Sequence, residues 1–317
     1  MKKYIMIRIG LMLVTLFLIV TFLYIGIYLS MYMKWTVVSR PFIEDWMLTW
    51  NGYKAFLKGV FTSFDFGYSI FGDPVWDMIL PLIPVTITIN LIAYGIYVIT
   101  GAVLGLLSAF YKNSLFDHLV SGIILTLGSI PTIVFVFALM IIFGYRLPLL
   151  PPLYNMRDAG LKGDILVLII PIVTLSMIPI ATILRLLRGE IDEILKEEYL
   201  LVARAKGLNK RQLIFRHVFK NSLTTMLPEL TNLFLITLGV SFFVEVVYKI
   251  PGIANLMYDS IVYEVPGGGH TVFFDNNVII AIGFIYSVLG LIVGLINDLL
   301  LPLIDPRIKI GLKSERK

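Results

Sequence analysis

The chain runs to 317 residues, 58% hydrophobic and 15% charged, with a mean hydropathy of +0.90. Soluble domains average roughly 25% charged residues, so one water-soluble core cannot absorb this much apolar surface, and an ordinary globular protein is excluded. The net charge is +5 and there is no cysteine, which excludes disulfides, thiolate metal sites and cysteine nucleophiles.

Lys2, Lys3 and Arg8 precede an apolar stretch over residues 9–33. It outruns the roughly 7–15-residue core of a signal peptide and has no small-x-small cleavage site, so a retained first span is predicted. An outer segment, 34–83, follows. Pro81 and Pro84 mark the entry to a second uncharged run, 84–110, long enough to cross a bilayer. A third span is predicted at 119–143, between His118 and Arg146, and a fourth at 165–187, after Asp164. The fifth, 223–247, carries Glu229 and Glu245 near its two ends, and the sixth, 276–300, lies between Asp275 and Asp298. The expected fold is all-α, a polytopic membrane protein with six transmembrane helices in a single domain, 1–317. Pro131, Pro171 and Pro179 fit helices that bend, and Gly101/Gly105 and Gly290/Gly294 form small-xxx-small pairs suited to close helix packing.

Lysine and arginine set the orientation. With the N-terminus inside, the inner segments hold 17 and the outer segments 8, Arg185 standing at a span end. Both termini are therefore expected in the cytoplasm. The basic surplus reads as topogenic, and no nucleic-acid partner is expected.

The inner segment 188–222 is the most charged part of the chain and longer than a passive connection requires. Ile191, Ile194, Leu195, Tyr199 and Val202 recur at helical spacing. Gly207 is suited to a helix C-terminus and Asn209 to the start of the next helix, which carries Leu213, Ile214, His217 and Val218 on one side. Two helices meeting at a turn near 205–208 are predicted. Pattern alone leaves a second form open, an amphipathic loop resting on acidic headgroups. Small residues at Ala203, Ala205 and Gly207 favour close approach of another protein.

The run EYLLVARAKGL from Glu198 to Leu208, with His217 and Asn221 after it, resembles the cytoplasmic signature of binding-protein-dependent ABC permeases, within them the B-type subunits of the oligopeptide, dipeptide and nickel branch. EVVYKIPGIANLMYDSI, starting at Glu245, and the close at Asp298 and IDPR, 304–307, resemble the same branch; residues 67–152 do so loosely. The resemblance implies a type I ABC importer fold in which 188–222 carries a coupling helix seated in a groove of an ATPase subunit. It implies contact with the ATPase through Glu198, Ala203, Arg204, Lys206 and Gly207, with Arg185 and Arg188 at the cytoplasmic end of span four. It places a gate or path at Glu245, Pro251 and Gly252. The implied partners are a second homologous permease, two ATP-binding ATPase subunits, an extracytoplasmic substrate-binding protein and the lipid of a bacterial cell membrane. The branch has a proline where Thr225 stands here, the nearest being Pro228, so the start of helix five is expected to shift by a turn. The outer segment is short, and residues 262–274, with Gly267, Gly268 and Gly269, form an extra outer stretch.

No GxxxxGK[ST] phosphate loop occurs, so the chain is not expected to be an enzyme and ATP hydrolysis is assigned to partner subunits. The three histidines, His118, His217 and His270, are scattered, and neither a metal site nor a cofactor is expected. Peptides are the expected cargo, with a nickel chelate as the alternative. An ion-gradient-driven transporter using Glu229, Glu245 or Asp298 stays open, although no inverted repeat is evident. An intramembrane enzyme lacks a catalytic constellation.

Overall fold

In a computed structural model, the structure describes residues 2–35, 42–154, 161–198, 200, 205, 207–214, 218–264 and 270–304. The fold is all-α apart from one short ribbon. Among the described residues five helices are long and apolar enough to span a bilayer: Ile5–Leu29, Ile83–Phe110, Ile165–Ile194, Thr224–Tyr248 and Asn276–Leu300. A pair of helices, Leu115–Gly128 and Thr132–Arg146, brings the number to six when taken as one span. The protein is a multi-pass membrane protein.

The chain divides into two compact units. The first holds Ile87–Ile250 and the residues from Val293 onward, and the second Lys2–Thr86 and Pro251–Ile292.

In the second unit, α1 (Lys2–Trp35) packs against α2 (Phe42–Ser63). Thr49, Tyr53, Phe56 and Val60 recur at helical spacing on α2 and are buried. Tyr24 of α1 lies against Tyr53 and Phe56, and the hydroxyls of Thr21 and Tyr53 meet at 2.5 Å. The sequence reading left 34–83 as an outer segment without elements; the structure places a 22-residue amphipathic helix there. Phe66 then sits among Phe56, Trp76 and Phe284, ahead of the short α3 (Val75–Ile79). Strands β1 (Val262–Glu264) and β2 (His270–Val272) pair antiparallel within the extra stretch 262–274; Gly267, Gly268 and Gly269 lie outside the described residues. Asp275 begins the last long helix, and its carboxylate accepts the Ile70 amide at 2.9 Å.

The first unit contains most of α4 (Ile83–Phe110), then α5 (Leu115–Gly128) and α6 (Thr132–Leu139) with a π-helical continuation, Met140–Arg146. Next come α7 (Leu161–Ile194), the single turn α8 (Lys210–Leu213) and α9 (Phe219–Tyr248). Within the expected third span, 119–143, the chain bends by 103° between α5 and α6. Pro131 supplies the reason. It has no N–H to donate, and it drives the preceding residue out of helical conformation. Pro171 and Pro179, by contrast, lie inside a continuous α7. Thr174 and Ser176 donate to the carbonyls of Ile170 and Ile172 four residues back, which satisfies their buried hydroxyls within the helix.

Close packing around α7 depends on missing side chains. A Cβ at Gly101 would lie 2.8 Å from Ile183, at Gly105 3.0 Å from Leu187, and at Gly128 2.5 Å from the Cβ of Ala181. Gly128→Leu is therefore expected to destabilise the purified subunit by about 1–3 kcal/mol through overpacking. Gly122→Ala on the same helix meets nothing within 4 Å and should gain about 0.5–1 kcal/mol of helix stability. Thermal unfolding in detergent separates the two; equal midpoints would mean that Gly128 carries no packing constraint.

Candidate functional site

The charged end of the first unit is built around the turn leaving α4. Asn113 adopts the left-handed conformation (φ 62°) that asparagine tolerates better than most residues. Ser114 caps α5, its hydroxyl accepting the Asp117 amide at 3.2 Å. Asp117 reaches back to accept the Asn113 amide at 2.9 Å. The same carboxylate takes Nε and Nη2 of Arg188, each at 2.9 Å, and the Ser121 hydroxyl at 3.3 Å. Asp117 is fully buried whereas the Arg188 side chain is 37% exposed. Four donors converge on one carboxylate, two of them in the fork geometry that guanidinium provides.

Lys112 and Lys196 both donate to Asp192, at 2.5 Å and 3.0 Å. These three side chains are 31–69% exposed, and pairs of this kind contribute at most about 1 kcal/mol. The Asp117–Arg188 pair is the dominant tie. It joins residues 71 apart in sequence.

Helix α7 does not stop where the charged loop was expected to begin. Expected at 165–187, it continues to Ile194, because charged residues mark where a helix meets water and not where its hydrogen bonds end. A turn over 195–197 leads to Glu198, which is exposed. Gly207 has φ +82°, the left-handed conformation foreseen for it, and is exposed with open space around it. Asn209 accepts the Gln212 amide at 2.9 Å while the Gln212 side chain accepts the Asn209 amide at 3.0 Å. This reciprocal capping box starts α8. Beneath it Leu187, Ile191, Leu200, Leu213 and Val218 bury together with Ala109 of α4. The segment thus packs on a buried apolar cluster that it shares with the ends of α4 and α7.

Of the residues assigned to the ATPase contact, Glu198 and Gly207 are both exposed; Ala203, Arg204 and Lys206 lie outside the described residues, as does His217. Arg185 is exposed on α7 and Arg188 holds Asp117. Asp117, Lys112 and Asp192 escaped the sequence reading. The signal available was local: Ser114 with Asp117 three residues on is a helix-start pattern at the end of an apolar run. Helix α9 begins at Phe219 and runs through Thr225 and Pro228, so the missing proline does not delay its start. The Thr225 hydroxyl reaches Glu190 of α7 at 3.4 Å.

At the other end of α9, Glu245 is fully buried and half-buried Glu229 accepts a bond from Asn232 at 3.3 Å. Lys249 closes the helix in the left-handed conformation, with Lys249 N–H bound to Val246 and Ile250 N–H to the Glu245 carbonyl. Pro251 and Gly252 belong to the second unit, where α10 (Ile253–Asp259) starts after Gly252 and the Ile253 amide donates to the Thr86 hydroxyl at 2.9 Å.

The family described as binding-protein-dependent transport system inner membrane component matches residues 101–310, a span that takes in the tied turn, the capped hairpin and α9. The chain belongs to this family. A dipeptide transport system permease protein of Lactococcus lactis subsp. cremoris is 31% identical to this permease over 98% of its length and the whole of the relative. One from Bacillus subtilis is 32% identical, covering 83% of the permease and 80% of the relative. An oligopeptide transport system permease protein of Salmonella typhimurium is 30% identical over 81% and 79%. In fold, the permease resembles a solved chain of the MetNI methionine ABC transporter in inward-facing conformation, with a TM-score of 0.55 at 15% identity, covering 72% of the permease and 96% of that chain.

Proposed function

We propose that this permease subunit forms half of an ATP-driven import path for peptides across a bacterial plasma membrane. A second, homologous permease completes the path, and both termini lie in the cytoplasm. The 188–222 segment docks a separate ATPase through Glu198, Ala203, Arg204, Lys206 and Gly207, and an outer binding protein delivers cargo near Glu245, Pro251 and Gly252. The 1–317 chain acts as one permease domain whose six spans include the bent pair. The observation carrying this reading is the construction of the segment: it rests on a buried apolar cluster shared with the ends of α4 and α7, and it is tied through Arg188 to Asp117 at the start of α5. A loop resting passively on headgroups needs neither. Dipeptide and oligopeptide permeases among the relatives support peptide as cargo.

ATP closes the engine only if the two states of the path bind it differently. Vesicles holding the assembled complex should therefore accumulate labelled dipeptide with ATP inside the ATPase compartment, and not with a non-hydrolysable analogue. Uptake that persists without the ATPase subunits and collapses with a proton uncoupler would transfer the protein to the gradient-driven class. Accumulation of a nickel chelate in place of peptide would change the cargo alone.

A further inference from the structure

We infer that Asp117 and Arg188 are positioning residues for transport: their ion pair fastens the first turn of α5 to the root of the docking hairpin, so that hairpin motion enters the membrane through α5 as well as α7. This rests on the reading of 188–222 as the ATPase-docking segment.

Three observations carry it. First, the joint is ionic where an apolar one would serve stability as well, since buried ion pairs seldom outperform well-packed hydrophobic residues. What the pair adds is geometry: a carboxylate gripped by Nε and Nη2 and anchored by the Asn113 amide and Ser121 has one orientation. Second, α5 is held again at its far end, where Gly128 lies directly against Ala181 of α7. Two attachments eleven residues apart, roughly 16 Å along the helix, make α5 and α7 one body. Third, that body ends at the 103° bend after Gly128. A displacement of the segment is thus delivered to the bend by a helix whose first turn Asp117 ties to Arg188.

The absence of native cysteine allows the test to be run with single introduced thiols. In the reconstituted complex, Glu198→Cys is crosslinked to the ATPase while ATP hydrolysis and dipeptide uptake are measured together. Asp117→Asn removes the charge; Arg188→Lys keeps it but loses the fork, and serves where the first variant fails to assemble. Both are expected to retain the crosslink and hydrolysis, while peptide imported per ATP falls by about tenfold. Unchanged peptide per ATP in an assembled Arg188→Lys complex would overturn the inference while leaving docking intact. Absence of the crosslink in the parent complex would instead remove the docking reading, and the inference with it.

Discussion

Gly207→Arg is expected to abolish ATP-driven uptake and crosslinking to the ATPase, while the amount of subunit inserted in the membrane stays at the parent level. Two physical effects act together. Gly207 sits at φ +82°, where any L side chain is strained by roughly 1–2 kcal/mol. The residue is also exposed, with no described atom within 4 Å of where a Cβ would stand, so an arginine would project into the space proposed for the ATPase. Gly207→Asn separates the two contributions, because asparagine tolerates the left-handed conformation and is small. Uptake near the parent level for asparagine and none for arginine assigns the loss to obstruction of the contact. Equal uptake in arginine, asparagine and parent complexes would show that nothing docks over this turn.

Leu213→Ala should produce a different failure. Leu213 is 2% exposed and packs with Leu187, Ile191, Leu200 and Val218. Truncating a buried leucine costs about 2–5 kcal/mol from lost transfer energy and the cavity left behind. The loss falls on a small cluster that engages α4 and α7 near their ends, through Ala109, Leu187 and Ile191, so it should appear as local opening. Limited trypsin digestion would then cut within 196–216, at positions such as Lys196, Lys206 and Lys210, at a far higher rate than in the parent, with the thermal midpoint of the bundle little changed. Digestion at the parent rate would show that the buried cluster does not hold the hairpin closed. The Gly207→Asn variant, which adds no trypsin site, should digest like the parent, which distinguishes an altered contact surface from a melted segment.

Much of the site was written in short-range patterns, and those were legible. Gly207 and Asn209 have strong local conformational preferences, and Gly207 takes the left-handed conformation while Asn209 caps α8. The long uncharged runs likewise announce the spans, because lipid leaves no alternative to internal hydrogen bonding. The helical spacing of Ile191 and Ile194 was legible, but their continuity with span four was hidden by charge, since Arg188, Glu190, Asp192 and Glu193 look like a break although α7 runs through them. The bend before α6 was visible only as Pro131, which reveals that a helix breaks and not the direction taken. The pairing of Asp117 with Arg188 could not be read from a single chain, because nothing local to either residue names a partner 71 positions away. Strands of three residues are too short for their alternation to register, so the ribbon also went unseen.

The glycines facing α7 limit how the bundle can move. Ile183 and Leu187 fill the notches at Gly101 and Gly105 much as teeth engage a rack, and Gly128 seats Ala181 in the same manner. Neighbours meshed at such separations cannot slip lengthwise past one another without first lifting apart. Any piston-like stroke of α7 must therefore drag the adjoining parts of α4 and α5 with it, and the strokes that remain cheap are tilts of the whole meshed set.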